Sequence, residues 1–321
     1  MATKSIERVC IVGATGRIGG AFAEALLKTG KHTVTALTRA GSKGQLPEGI
    51  KAVKVDYDDE SSIVEALKGQ QFLVITLAAT APQDLHGKIV VAAAKAGVPM
   101  VMTNAYGYPM DRNNMDPEDT FGAGLLSQIE EAERLGLSTF TLSCGFWYEW
   151  SLALGEQWFG FTIKDRKVTM FDDGKRVVTV STWDQCGRAL ASFLSLPESG
   201  ASPSVGDYTN SNILINSFRV SQRDMLDSLH RVLGTSDSDW DITYESVEKR
   251  MQDGTEELKK GMMTGFAKIL YARGFDVTKK NRDYAATSSM ANGILGLPKE
   301  DLDEATKRAV DMVQSGWNPF A

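Results

Sequence analysis

Three glycines, Gly13, Gly16 and Gly19, fall in the stretch VCIVGATGRIGG, directly after four apolar residues and directly before an amphipathic run. A strand, a turn without side chains and a helix start, in that order, let backbone N–H groups approach a pyrophosphate while the helix N-terminus favours its negative charge. Gly13, Thr15, Gly16, Arg17, Ile18 and Gly19 are therefore the expected phosphate-binding set, with Gly20 adding close helix-to-sheet packing. A second strand-like run ends in ALTRAGSKGQL, where Thr38, Arg39, Ser42 and Lys43 offer two cations and two hydroxyls and no acid occurs between residues 33 and 47. An acid at that place binds the ribose hydroxyl of NAD, whereas basic residues suit the 2′-phosphate of NADP. NADP is the expected cofactor, and Arg17 is a third cation for the same phosphate. Asp56, ending a third strand, can take the adenine amino group or cap a helix. Small residues in ITLAAT, Thr76 and Ala78 among them, leave room for ribose and nicotinamide.

Hydride transfer to a carbonyl or a conjugated double bond needs a proton donor near the developing charge. The loop VMTNAYGYPMDRNNMD supplies Asn104, Tyr106, Tyr108 and Arg112 at a strand's carboxyl end, where ligands of α/β sheets collect. Tyr106 is the first expected donor, with Asn104 orienting substrate or nicotinamide; packing of the loop is the alternative role. Tyr148, within CGFWYEWSLAL, is the second. Its aromatic neighbours Phe146, Trp147 and Trp150 would form either a wall for a planar substrate or a seam between lobes. His86 opens a helix and is the third candidate, since free imidazole titrates at about 6.5; a surface position is its alternative.

These residues need elements to hold them. Short β-rich runs at residues 9–12, 33–37, 52–55, 73–77, 98–102 and 139–142 alternate with helical patterns at 18–29, 61–68, 87–96 and 125–135, each followed by glycine. Such alternation builds parallel βαβ crossovers and a doubly wound sheet. The expected organisation is a Rossmann-type NAD(P)-binding domain over residues 1–155, completed by about 176–200, and a smaller α+β substrate lobe over 156–321. In that second part KVTMFDDGKRVVTVST reads as a hairpin around Asp173-Gly174. Residues 246–273 and 299–314 read as long helical stretches, and Ser221 with Asp224 as a helix cap. Met262, Met263, Phe266 and Tyr271 read as core. No low-complexity linker separates the lobes, so a shared cleft is expected.

Bulk properties exclude several function classes. A net charge of −6 without a basic run argues against nucleic acid as a partner. No apolar run reaches the length of a membrane span, and the N-terminus lacks a signal-peptide pattern, so a cytoplasmic location is expected. Cys10, Cys144 and Cys186 are widely spaced, and His32, His86 and His230 show no ligand spacing, so neither a disulfide framework nor a metal is expected.

Together VGATGRIGG, LTR, VKVDYDDESSIVEALKG, AAAKAGVPMVM and LSCGFWYEW resemble the NmrA-like and isoflavone-reductase-like branch of the atypical short-chain dehydrogenase/reductases, over residues 8–200. The resemblance implies NADPH-dependent reduction of a small hydrophobic, aromatic or polyketide-like metabolite. It also implies an alternative, a non-catalytic NmrA-like regulator acting through a protein partner; a redox-neutral isomerase or lyase that retains the cofactor is a third possibility. The reductase branch carries a lysine about two turns before an Ile-Glu pair; aligned on Ile129-Glu130, that position falls at or near Gly122. No lysine occurs from residue 98 to 161, and neither Tyr106 nor Tyr108 has a lysine four residues on.

Overall fold

Alternating apolar and amphipathic segments resolve into β-strands and α-helices in the computed structural model, which describes residues 5–42, 44–78, 80–113, 116–276, 278 and 281–319. The strands are β1 (Arg8–Val12), β2 (Thr33–Arg39), β3 (Lys51–Val55), β4 (Phe72–Ile75), β5 (Met100–Met102), β6 (Ser138–Ser143), β7 (Phe146–Trp147), β8 (Phe161–Thr162), β9 (Lys167–Phe171), β10 (Val178–Ser181), β11 (Ser211–Leu214), β12 (Phe218–Val220) and β13 (Asp241–Glu245). The helices are α1 (Arg17–Lys28), α2 (Glu60–Leu67), α3 (Leu85–Ala96), α4 (Thr120–Arg134), α5 (Tyr148–Ala153), α6 (Trp183–Leu194), α7 (Gln222–Leu233), α8 (Val247–Lys259), α9 (Thr264–Phe275) and α10 (Leu302–Gln314). The chain forms two compact units. One comprises Met1–Ser143, Trp183–Ile215 and Met290–Leu297; the other comprises Cys144–Thr182, Asn216–Ser289 and Pro298–Ala321.

The first unit is built on a seven-stranded sheet in the order β11-β6-β5-β4-β1-β2-β3, parallel at every pairing. This is the doubly wound Rossmann-type fold expected from the alternating pattern. Period-2 alternation sends successive side chains to opposite faces. Leu73, Ile75 and Val101 pack beneath Ile63 and Leu67 of α2 and Ile89 of α3. On the other face Phe72, Phe140 and Phe193 of α6 form a chain of rings 5.4 and 5.5 Å apart. α6 then lies close against α1, because a Cβ on Gly187 would stand 2.6 Å from the Ala21 carbonyl oxygen. The glycines after α1, α2, α3 and α4 all have positive φ and end their helices as the spacing predicts. Between β1 and β4 the strand order reverses, and the crevice outside their carboxyl ends is where such sheets take ligands.

The second unit holds two three-stranded sheets, β12-β10-β7 and β13-β9-β8. Its core is aromatic: Phe146 stacks on Tyr271 at 4.3 Å, and Phe159 and Phe275 stand edge-on to each other. The expected hairpin around Asp173-Gly174 is absent. A turn forms there, with Gly174 N–H bonded to the Phe171 carbonyl, yet β9 pairs with β13 and β10 with β12. Its polar groups are taken by later helices: Arg223 N–H donates to the Gly174 carbonyl, and Asp172 accepts from Val247 N–H. The stretch 246–273 is two helices, not one. Gly261 at φ +76° breaks it, and α8 and α9 fold back with Gly265 so close that its Cβ would stand 2.2 Å from the Gly254 carbonyl oxygen. Met262 and Met263 lie in that turn and are exposed, at 49% and 63%, rather than core as helical spacing suggested. Ser221 and Asp224 cap α7 reciprocally, as expected.

Candidate active site

The glycine turn begins where β1 ends, and its three glycines do different things. Gly13 takes φ +85°, and a Cβ there would stand 2.1 Å from the Thr76 carbonyl oxygen. Gly19 would place a Cβ 2.3 Å from the Gly13 carbonyl oxygen. Both are therefore demanded by the close approach of the turn, α1 and the end of β4. Thr76 fastens this approach: it is buried, and its hydroxyl donates to the Val12 carbonyl at 2.7 Å. Its part is to hold the turn. Gly16 differs, having ordinary backbone angles (φ −79°) and standing at the N-cap of α1 with no side-chain acceptor and no acid in the first turn. The bare helix start, exposed through Thr15, Gly16 and Arg17, carries the partial positive charge of a helix N-terminus. Ile18 is buried beneath it. Gly20 does not supply the close packing expected of it, since its Cβ would make an ordinary 3.6 Å contact; Gly19 has that role.

The loop after β2 folds back to the turn. A Cβ on Gly44 would stand 2.6 Å from Thr15 Cβ, a contact sequence reasoning missed although a second glycine in the basic loop was its signal. Arg39 and Ser42 are exposed in this loop, tied by the Ser42 N–H to the Arg39 carbonyl at 3.0 Å. The Arg39 guanidinium has no ion-pair partner among the described residues. Lys43 lies outside the described residues. Arg17 stands over the Trp183 ring at 5.8 Å. Asp56 is exposed and accepts from Asp58 N–H at 3.0 Å; the cap of α2 is Asp59. Ala78 is exposed, with its carbonyl taken by Ala81 N–H. These groups fit NAD(P)H: a side-chain-free cradle, an uncapped helix start and a neighbouring unpaired cation are what pyrophosphate and ribose phosphate require.

The three expected proton donors fare differently. Tyr106 is buried against Phe22 of α1, and its hydroxyl donates to the Ile75 carbonyl at 2.7 Å. Asn104 is likewise committed, accepting from Leu77 N–H at 3.0 Å and donating to the Leu77 carbonyl at 3.1 Å. This two-point clamp fixes the chain just beyond β4. The neighbouring Tyr108 hydroxyl donates to Asp119, which caps α4 by accepting from Gly122 N–H at 2.9 Å. Gly122 is thus a bare residue in the first turn of α4. Tyr148 belongs to the second unit's core, fully buried and bonded to Thr306 at 2.7 Å, and burial drives its phenol pKa upward. It is not the ready donor its sequence context suggested.

His86 departs from expectation most. It is 2% exposed, not on the surface, and neither ring nitrogen has a hydrogen-bond partner among the described residues. Burial pushes its pKa down to about 4. At neutral pH the ring is uncharged, so it carries an N–H to donate in a hydrogen bond but no spare proton to give as an acid. The reason lies in α3, whose buried residues His86, Ile89, Val90 and Ala93 recur at helical spacing and face the sheet.

Comparison with known proteins agrees with this geometry. Residues 13–136 match an NAD(P)H-binding family model. The oxidoreductase AprR of Aspergillus flavus is 27% identical over 310 residues, covering 92% of this chain and 96% of that protein. Quinone oxidoreductase 2 of Escherichia coli is 30% identical over 150 residues, 44% of this chain and 49% of that one. Among solved structures, AtPrR2 with NADP+ and (+)-pinoresinol has the same fold, with TM-score 0.74, 18% identity, and 96% of this chain and 99% of that one covered. An isoflavone reductase gives TM-score 0.72 at 19% identity, covering 94% and 99%. Residues 13–136 thus carry an NAD(P)H-binding region, and the chain shares the fold of these solved reductases. Among the described residues no helix is long and apolar enough to cross a membrane.

Proposed function

We propose that this protein is an NADPH-dependent reductase of a small, hydrophobic, planar conjugated carbonyl compound of the quinone type. The observation that carries the reading is the state of the acids. The resemblance puts the lysine position at or near Gly122, the Tyr106 hydroxyl donates its hydrogen bond to the Ile75 carbonyl, Tyr108 donates to Asp119, and His86 is neutral. A simple ketone becomes a strongly basic alkoxide on taking a hydride and needs an acid beside it. A quinone becomes a hydroquinone monoanion instead, with charge spread over the ring, and water completes the product with one proton. The chemistry thus suits a site in which none of these described candidates serves as an acid. A relative named as a quinone oxidoreductase supports the same substrate class.

In this reading the turn from Gly13 to Gly19 and the start of α1 hold the pyrophosphate. Arg39 and Ser42 take the 2′-phosphate, which favours NADP over NAD. Thr76 and the Asn104 clamp fix the end of β4, which would hold the nicotinamide end of the cofactor. When bound, the cofactor supplies the hydride.

Steady-state oxidation of NADPH across substituted quinones, aryl ketones and benzylic ethers tests the proposal. Quinones should exceed ketones in kcat/KM by about 100-fold or more, the contribution of the general acid that ketones would need. Ketone or ether turnover equal to that of quinones would overturn it.

A further inference from the structure

His86 stands at one end of a buried stripe. Ile89, Val90 and Ala93 of α3 pack among Leu73, Ile75 and Val101 of the sheet, and His86 continues the same face one turn toward the helix start. In a βα unit that direction leads to the carboxyl ends of the strands, and helical side chains lean the same way. There β4 gives way to Thr76 and Leu77, the residues that brace the glycine turn and receive the Asn104 clamp. Glu131 of α4 approaches α3 beside it, its carboxylate 3.2 Å from where a Cβ on Gly87 would stand, yet it bonds neither imidazole nitrogen.

An imidazole always carries a donor, an acceptor or both, and a buried one without partners is uncommon enough to require a reason. An apolar residue would pack on this stripe without that penalty. A partner that arrives with the ligand supplies the reason. We propose that His86 is a catalytic residue whose ring N–H donates a hydrogen bond to a carbonyl oxygen of the reducible substrate, orienting it and stabilising the negative charge that gathers there on reduction. This rests on the quinone-reductase reading. No proton leaves the ring: the hydride comes with the cofactor, the charge collects on the hydroquinone oxygen, and water provides the final proton. A neutral histidine suits this role because it keeps the N–H through the cycle.

Three measurements together test it. His86→Leu should melt no lower than the wild type and bind NADPH equally well, while kcat/KM for a benzoquinone falls about 10- to 100-fold. His86→Gln, which keeps an N–H donor, should recover most of that loss. Independently of turnover, ¹⁵N spectra of histidine-labelled wild-type protein contain only His32, His86 and His230. Adding a hydroquinone to the NADP+-loaded protein should move the His86 N–H resonance downfield and leave His32 and His230 in place. Full quinone turnover in His86→Leu, an unmoved His86 resonance, or a loss confined to NADPH affinity would each overturn the assignment. If wild-type protein oxidises no NADPH with any quinone, the functional reading fails; if it does and His86→Leu matches it, only the role of His86 fails.

Discussion

Gly16→Val leaves the protein folded and strongly weakens NADPH binding. Gly16 has ordinary backbone angles and is exposed, and a Cβ there would meet only the Gly13 carbonyl oxygen, at 3.2 Å. A shift of a few tenths of an ångström relieves that contact, and valine at a helix N-cap costs on the order of 1 kcal/mol. The branched side chain, however, stands where a pyrophosphate must touch bare backbone. Affinity should fall by about 100-fold or more, roughly 2.7 kcal/mol. Gly13→Ala makes the contrast, because φ +85° and a 2.1 Å contact with the Thr76 carbonyl oxygen forbid the side chain whatever is bound. That variant should lose fold stability first. Titration of NADPH fluorescence beside thermal melting separates the two outcomes, and wild-type affinity in Gly16→Val would remove the pyrophosphate assignment.

Arg39→Ala weakens NADPH by about 10- to 100-fold and leaves NADH nearly untouched. A charge-assisted hydrogen bond to phosphate is worth about 1.5–3 kcal/mol, and NADH has no 2′-phosphate to receive it. Arg39 is exposed without an ion-pair partner among the described residues, so its removal should cost the fold little. The discrimination should shrink with added salt, because an exposed pair is screened. Equal losses for both cofactors, measured by calorimetric titration, would refute the phosphate-binding role.

The first unit was legible because its signals are local. Apolar runs, helical periods and terminal glycines lie within a few residues of one another, and six of its seven sheet strands follow from them. The seventh, β11, reaches its place beside β6 from a distant stretch of chain, and no local pattern announces such a pairing. The Asp173-Gly174 turn shows the same limit: the turn chemistry was right, but which strands pair is decided by β12 and β13, far along the chain. Within the site, the cofactor turn was readable because glycine spacing encodes backbone geometry. Proton donors were not, since residue type does not reveal where a hydroxyl points. Tyr106 and Tyr108 have the right chemistry, and only the fold shows their hydroxyls donating to the Ile75 carbonyl and to Asp119. His86 carried a readable clue in its spacing to Ile89 and Val90, which places it on the buried face of α3 rather than at the surface.

The central claim is that hydride passes to a conjugated carbonyl without a protein acid. Single-turnover loss of NADPH absorbance, on mixing the loaded protein with a quinone, tests it most directly when cofactor deuterated at C4 and solvent deuterium oxide are compared. The account predicts a primary isotope effect from the deuterated cofactor and a rate insensitive to solvent deuterium. A substantial solvent isotope effect on the same step would contradict it, because a proton would then be moving in the transition state and an acid in the protein would have to supply it.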